Sequence, residues 1–92
     1  MRLVVDVAAW DDLSHIGAWI AKDNPKAART ILDKILRTIE HLHAFPRLSR
    51  PGRARNTLER VVAGTPYIVA FEIWEERLML VITAVAHGAR NR

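Results

Sequence analysis

The sequence predicts an α+β domain in which a helical hairpin packs on an antiparallel sheet, with its elements in the order βααβββ. Three observations predict it. A β-branched run opens the chain, two stretches between residues 8 and 44 carry apolar residues at helical spacing, and the stretches after residue 58 read as strands separated by short turn signals. Sequential strands joined by short turns pair antiparallel, and an amphipathic helix pair must bury its stripe on one face of such a sheet.

Leu3, Val4, Val5 and Val7 are the opening strand, without helical spacing and interrupted by Asp6. Ala9, Leu13, Ile16 and Ile20 then recur at offsets of four, three and four, so they share one face of a first helix over residues 8 to 22. Asp11, Asp12 and His15 are expected to turn outward, and the two aspartates suit an N-terminal turn. Trp10 and Trp19 flank the apolar face; with Trp74 they read as core or interface residues rather than platforms for bases. Asn24 followed by Pro25 is a cap residue with proline at the first helical position, which starts a second helix over residues 25 to 44. Its apolar set, Ala28, Ile31, Leu32, Ile35, Leu36, Ile39, Leu42 and Phe45, holds the 3.6-residue period, with charged residues largely opposite. Leu36 is expected on the buried stripe, where an aspartate would cost several kcal/mol, on the order expected for an unpaired buried charge.

Pro46 ends that helix, and residues 48 to 56, with Ser49, Pro51 and Gly52, read as a loop. Leu58 to Val62 resumes strand composition, and Gly64-Thr65-Pro66 is turn chemistry. Tyr67, Val69, Phe71 and Ile73 alternate with Ile68, Ala70, Glu72 and Trp74, a strand apolar on both faces. After a turn at Glu75-Glu76, Leu78 to Val85 is continuously apolar and is predicted to be central in the sheet.

With 92 residues, half of them apolar, the chain is one domain, residues 1 to 92, with enough aliphatic surface for a core. The absence of cysteine removes disulfides, thiolate nucleophiles and Cys-based zinc sites together. The run Leu3 to Val5 is too short for a signal peptide, and Leu78 to Ala86 falls well under the ~18 residues of a membrane span, so a cytoplasmic protein without a membrane partner is expected. His41 and His43, two apart on a helix, diverge by about 200° and do not share a metal, so no metal and no cofactor are expected. Ser14 and Ser49 lack a nucleophile-elbow setting, Asp11 and Asp12 are adjacent rather than facing, and Gly64 and Gly88 are isolated; acyl transfer, glycoside hydrolysis and phosphate-cradling loops therefore have no basis.

The charge has an uneven address. Residues 1 to 46 and residues 61 to 92 are each net neutral, so the whole +4 lies in residues 47 to 60, where Arg47, Arg50, Arg53, Arg55 and Arg60 oppose only Glu59. Arginine pairs bidentately with phosphate or carboxylate, so these five are the candidate target or anion-binding residues. A solvated basic loop is the plainer alternative. Arg55 and Arg60 would form a catalytic cluster only if His87 and Arg90, after the last strand, came round to meet them. In a three-strand meander the start of the first strand and the end of the third lie at opposite ends, which separates the two pairs.

The chain resembles the RelE/ParE toxins of bacterial type II toxin–antitoxin modules over essentially its whole length. The resemblance is carried by Trp10-Asp11-Asp12-Leu13 with Ile16 and Ile20, by Asn24-Pro25-Lys26-Ala27-Ala28, by Leu42 to Pro46, by Gly64-Thr65-Pro66-Tyr67-Ile68-Val69, and by Val85-Ala86-His87-Gly88-Ala89-Arg90. It implies a βααβββ fold and a toxin neutralised by a cognate antitoxin. RelE-like members cut mRNA in the ribosomal A site without metal, using basic and hydroxyl-bearing side chains; ParE-like members poison DNA gyrase. Where the ParE-like pattern reads Thr-Arg-Glu-Leu, this chain has Thr57-Leu58-Glu59-Arg60, with the arginine moved by two positions to the same sheet face, about 6.6 Å away. No tyrosine follows His87, so the C-terminal hydroxyl of many RelE-like nucleases is missing, which favours the ParE-like side. Growth inhibition through gyrase is therefore the expected function. The alternatives are a ribosome-dependent mRNA endonuclease, with His87, Arg60 and Arg90 as its catalytic set, and a non-catalytic nucleic-acid-binding module using the basic loop. A partner offering apolar anchors and acidic residues is expected to meet the apolar sheet and the basic loop.

Overall fold

Asn24 fixes the helical hairpin: its side-chain oxygen accepts the N–H of Ala27 at 3.0 Å, and Pro25 supplies a first helical residue that needs no hydrogen-bond acceptor. Helix α1 (Val7–Ala21) precedes this cap and helix α2 (Pro25–Ala44) follows it in the computed structural model, which describes residues 1–88. The helices approach closely at Gly17, where an added Cβ would lie 3.0 Å from Leu32 Cδ1. The strands are β1 (Arg2–Val5), β2 (Arg50–Pro51), β3 (Leu58–Val61), β4 (Tyr67–Trp74) and β5 (Met79–His87), in the spatial order β1-β5-β4-β3-β2. The predicted order of helices and main strands holds, and β5 is interior. No helix among the described residues is long and apolar enough to cross a membrane.

The sheet is mixed rather than wholly antiparallel: β3, β4 and β5 form the expected meander, but β1 pairs parallel with β5. The cause lies in residues 46–57, expected as plain loop. There the two residues of β2 run antiparallel to β3, so the chain is carried back across the sheet before β3 begins. The reversal leaves β5 pointing the same way as β1.

Alternation then sorts each strand onto two faces. Leu3, Val5, Leu58, Tyr67, Val69, Phe71, Ile73, Leu80, Ile82 and Val85 pack against Ala9 and Leu13 of α1 and Ile35, Ile39 and Leu42 of α2. Phe71, Ile35, Leu42, Leu80 and Ile82 are among the largest fully buried side chains, each contributing about 1.5–3 kcal/mol by burial. The opposite face is covered by neither helix. It consists of Arg2 and Val4 on β1, Val81, Ala84 and Ala86 on β5, Ile68, Ala70 and Glu72 on β4, and Glu59 and Val61 on β3.

Three expectations change. Leu36 is 44% exposed, one residue beyond the buried Ile35, so the covered stripe of α2 is narrower than its apolar pattern and Leu36→Asp is no longer expected to bury a charge. Trp10 and Trp19 flank the helix as read but are 54% and 61% exposed, so they are not core residues. Asp12 does not turn outward. An extra residue, Thr83, interrupts the β4–β5 register, and the freed N–H of Val85 is taken by Asp12 Oδ2 at 2.9 Å, tying α1 to β5 where β1 has already ended.

Candidate functional site

The five arginines of the basic segment fall into two groups. Arg60 stands opposite Val69 and so points to the helix-covered face. It is half-buried against the end of α2, where its Nη2 donates to the carbonyl of Phe45 at 2.8 Å and to Ser49 Oγ at 3.0 Å. Its Nη1 lies 2.8 Å from His41 Nδ1. Arginine only donates, so Nδ1 is the acceptor and the proton of the imidazole sits on Nε2. Arg60 therefore closes the C-terminal end of α2 and anchors the 46–49 turn. As an anion binder or a catalytic residue, Arg60 would have to exchange these partners, because its guanidinium donors are engaged by Phe45, Ser49 and His41.

The other four are exposed and displayed by the β2–β3 hairpin and the turn before it. Glu59 organises them: the carboxylate that looked outnumbered in the sequence is only 12% exposed, lies 3.6 Å from the Arg50 guanidinium, and accepts the backbone N–H of Arg53 at 3.0 Å. The hairpin is closed by Gly52 N–H on the Thr57 carbonyl and by Thr57 Oγ1 on the Ala54 carbonyl. An added Cβ at Gly52 would collide with Thr57 Oγ1, so a glycine is required at that close approach. Arg53 Nη2 reaches the Gly88 carbonyl at 3.4 Å, and Arg47 lies 3.6 Å from Glu75. Arg55 completes the exposed set.

His87 pairs with Tyr67 in the β4–β5 ladder and stands edge-on to its ring, centroids 5.6 Å apart. It shares the helix-covered face with Arg60, but β4 lies between their strands and the registers differ by two residues, which separates the two backbones by roughly 12 Å. The structure thus keeps His87 and Arg60 apart, as the meander argument expected, while placing Arg53 beside the chain just after His87. Arg90 lies outside the described residues. His41 and His43 diverge as predicted, one to Arg60 and the other to the Met1 carbonyl at 2.6 Å.

A groove of about 430 Å³ runs between α1 and the part of β5 that extends past β1, lined by Asp12, Ile16, Trp19, Tyr67 and His87 among others. A second, of about 410 Å³, lies at the β4–β5 turn beneath Trp74, whose indole N–H is held by Glu72 at 2.8 Å. Sequence reasoning missed Asp12, Glu59, Ser49 and His41 as organisers. Only Glu59 left a signal there, as the lone acid in a basic run.

The protein of Sinorhizobium fredii named "Putative toxin Y4kP" is 41% identical over 61 residues, covering 66% of this chain and 64% of that protein, so the shared part is less than two thirds of the relative. A chain of the chromosomal ParDE system from P. aeruginosa superimposes with a TM-score of 0.82 at 17% identity, covering 95% of each chain. The isolated E. coli RelE toxin does so with a TM-score of 0.69 at 11% identity, covering 94% of this chain and 82% of that one. Both structural likenesses speak for the fold alone. Residues 3–92 match the family described as the ParE toxin of the type II toxin–antitoxin system parDE, and the chain belongs to that family.

Proposed function

We propose that this toxin acts by binding rather than by chemistry, that DNA gyrase is its target, and that a cognate antitoxin neutralises it in the cytoplasm. The observation that carries this reading is the fate of the nuclease candidates. Cleavage of RNA needs a proton-exchanging group and a cation within reach of one phosphodiester. Arg60 instead spends its donors on Phe45, Ser49 and His41, and the backbone of His87 lies roughly 12 Å from that of Arg60 across β4, with the His87 ring against Tyr67. Among the described residues the open sheet face carries no histidine, and its centre is aliphatic. The exposed Arg47, Arg50, Arg53 and Arg55 remain as the proposed target contacts; the carboxylates nearest them, Glu59 and Glu75, are paired with Arg50 and Arg47.

The test pairs two assays. Purified toxin is expected to inhibit supercoiling by gyrase and to leave mRNA intact in a translation extract, and His87→Ala is expected to retain gyrase inhibition. Cleavage at A-site codons that falls about 100-fold or more in His87→Ala, the loss expected for a general acid or base, would replace this reading with the ribosome-dependent nuclease.

A further inference from the structure

The β4–β5 connection places a leucine where its backbone is unfavourable and its side chain meets water. After Trp74 the chain makes one 3₁₀ turn, Glu75–Arg77, closed by the Leu78 N–H on the Glu75 carbonyl at 3.2 Å. Leu78 caps that turn with φ 52° and ψ 46°, the left-handed conformation that glycine and asparagine adopt readily and a leucine does not. Its carbonyl accepts the Arg2 N–H at 2.8 Å, yet its side chain is 66% exposed and takes no part in the core. A backbone held in a sparsely populated conformation is a pointer to function. Beside it lies the groove of about 410 Å³ under Trp74, lined by Asn56 of the β2–β3 hairpin and by Glu72 and Glu76. The Arg47–Glu75 pair, 3.6 Å apart, ties the turn at 46–48 to the same end, where Leu48 is also exposed. The charges of the two turns cancel, Arg47 and Arg77 against Glu75 and Glu76.

We propose that this end of the molecule is the interface of a two-fold dimer of the chain, in which Leu78 of each copy enters the groove beneath Trp74 of the other. A second copy is selected because the projecting side chain and the groove lie on one surface. A two-fold contact pairs a patch with itself, so whatever projects from it must meet a recess in the same patch. The cancelling charges select it too, since two copies meet here without the repulsion that the +4 of the basic segment imposes elsewhere. Nucleic acid is disfavoured by Glu72, Glu75 and Glu76, and a strongly charged protein partner finds no excess of the opposite sign. Monomers ordinarily expose apolar patches no larger than about 300–600 Å², and a stable complex buries about 800 Å² on each partner. Leu78, Trp74 and Leu48 with charged neighbours make a patch of the smaller kind, so the dimer assembles at micromolar rather than nanomolar concentration. Arg47, one of the proposed target contacts, lies within this interface.

Sedimentation velocity of the purified full chain between about 1 and 100 μM tests this. The wild type is expected to pass from monomer to dimer across that range, with the same midpoint at low and high salt because the charges of the interface cancel. Leu78→Gly removes the projecting side chain and relieves the left-handed backbone, so it is expected to melt within about 3 °C of wild type and to weaken the dimer about tenfold or more. Leu78→Asn, which also suits that conformation, is expected to do the same. Leu48→Ser is expected to weaken the dimer severalfold, and Trp19→Ala, in the groove beside α1, to dimerise as wild type. A wild-type chain that stays monomeric to about 100 μM overturns the proposal. So does a dimer that survives in both Leu78 variants. A dimer lost only in Trp19→Ala moves the contact to α1, and one that high salt dissolves is held by charge instead; either overturns the placement.

Discussion

Arg60 and Arg53 carry the same guanidinium seven residues apart in one basic run, yet they do opposite work. Arg60 is turned under α2 and shared among Phe45, Ser49 and His41, whereas Arg53 sits in an exposed turn with one long contact to Gly88. Nothing in the side chain decides between these roles. Strand parity decides: a residue opposite Val69 meets the helices, and one in the hairpin beyond Glu59 meets solvent. Net charge therefore overstates the surface available to an anionic partner by one arginine in five.

The widest gap between covered and open positions is predicted on α2, at two neighbours. Ile35 is fully buried and Leu36 is 44% exposed. Ile35→Asp places a carboxylate among Phe71, Leu80 and their neighbours and is expected to cost about 4 kcal/mol or more. Leu36→Asp is expected to cost about 1 kcal/mol or less, as at other exposed positions. Urea melts followed by circular dichroism compare them, and equal midpoints would erase the boundary drawn along this helix.

Arg60→Ala comes next. It leaves the Phe45 carbonyl and Ser49 without their donor at a partly buried junction, for about 2 kcal/mol and a fall in Tm of about 10 °C. Arg53→Ser is expected to melt within about 2 °C of wild type, since only an exposed contact is lost. An Arg60→Ala protein that melts like wild type but no longer arrests growth would place Arg60 on the target surface. Asp12→Ala is smaller again. It strands the Val85 N–H beside the register shift, at about 1 kcal/mol, and is expected to raise amide exchange at the end of β5 without affecting α2.

How much of this was legible follows from how local each signal is. Asn24-Pro25 and Pro46 are local punctuation, and α2 begins and ends where they place it. The run from Leu78, apolar but for Thr83, announced an interior strand for the same reason. The parallel pairing of β1 was hidden because it depends on β2, two residues whose only mark is the partner they find in Leu58 and Glu59. Arg60 was half legible: positions 58 and 60 share a face in any strand, but Val61 is as apolar as its neighbours, so composition did not say which face meets the helices. Asp12 was illegible for a different reason. Its role exists because Thr83 shifts the ladder and frees an N–H 73 residues away in sequence, and no spacing within α1 encodes that need.

The smallest expected effect on stability falls on the exposed group, and it separates that group from Arg60 most cleanly. Replacing Arg50, Arg53 and Arg55 together by serine leaves the core untouched and retains the backbone N–H of Arg53 for Glu59, so stability is expected to stay within about 0.5–1 kcal/mol of wild type. Glu59, itself little exposed, loses one guanidinium neighbour, but that neighbour is 57% exposed and the pair is loose at 3.6 Å, so it contributes no more. Association is a different matter, because charges at a rim act on the encounter from about one Debye length away, near 10 Å at 0.1 M salt. The wild-type chain is expected to bind an acidic partner about tenfold faster at low salt than at high salt, and the triple variant to show little difference between the two. Both proteins responding equally to salt would mean that the loop arginines do not steer the partner, leaving the apolar sheet to account for binding alone.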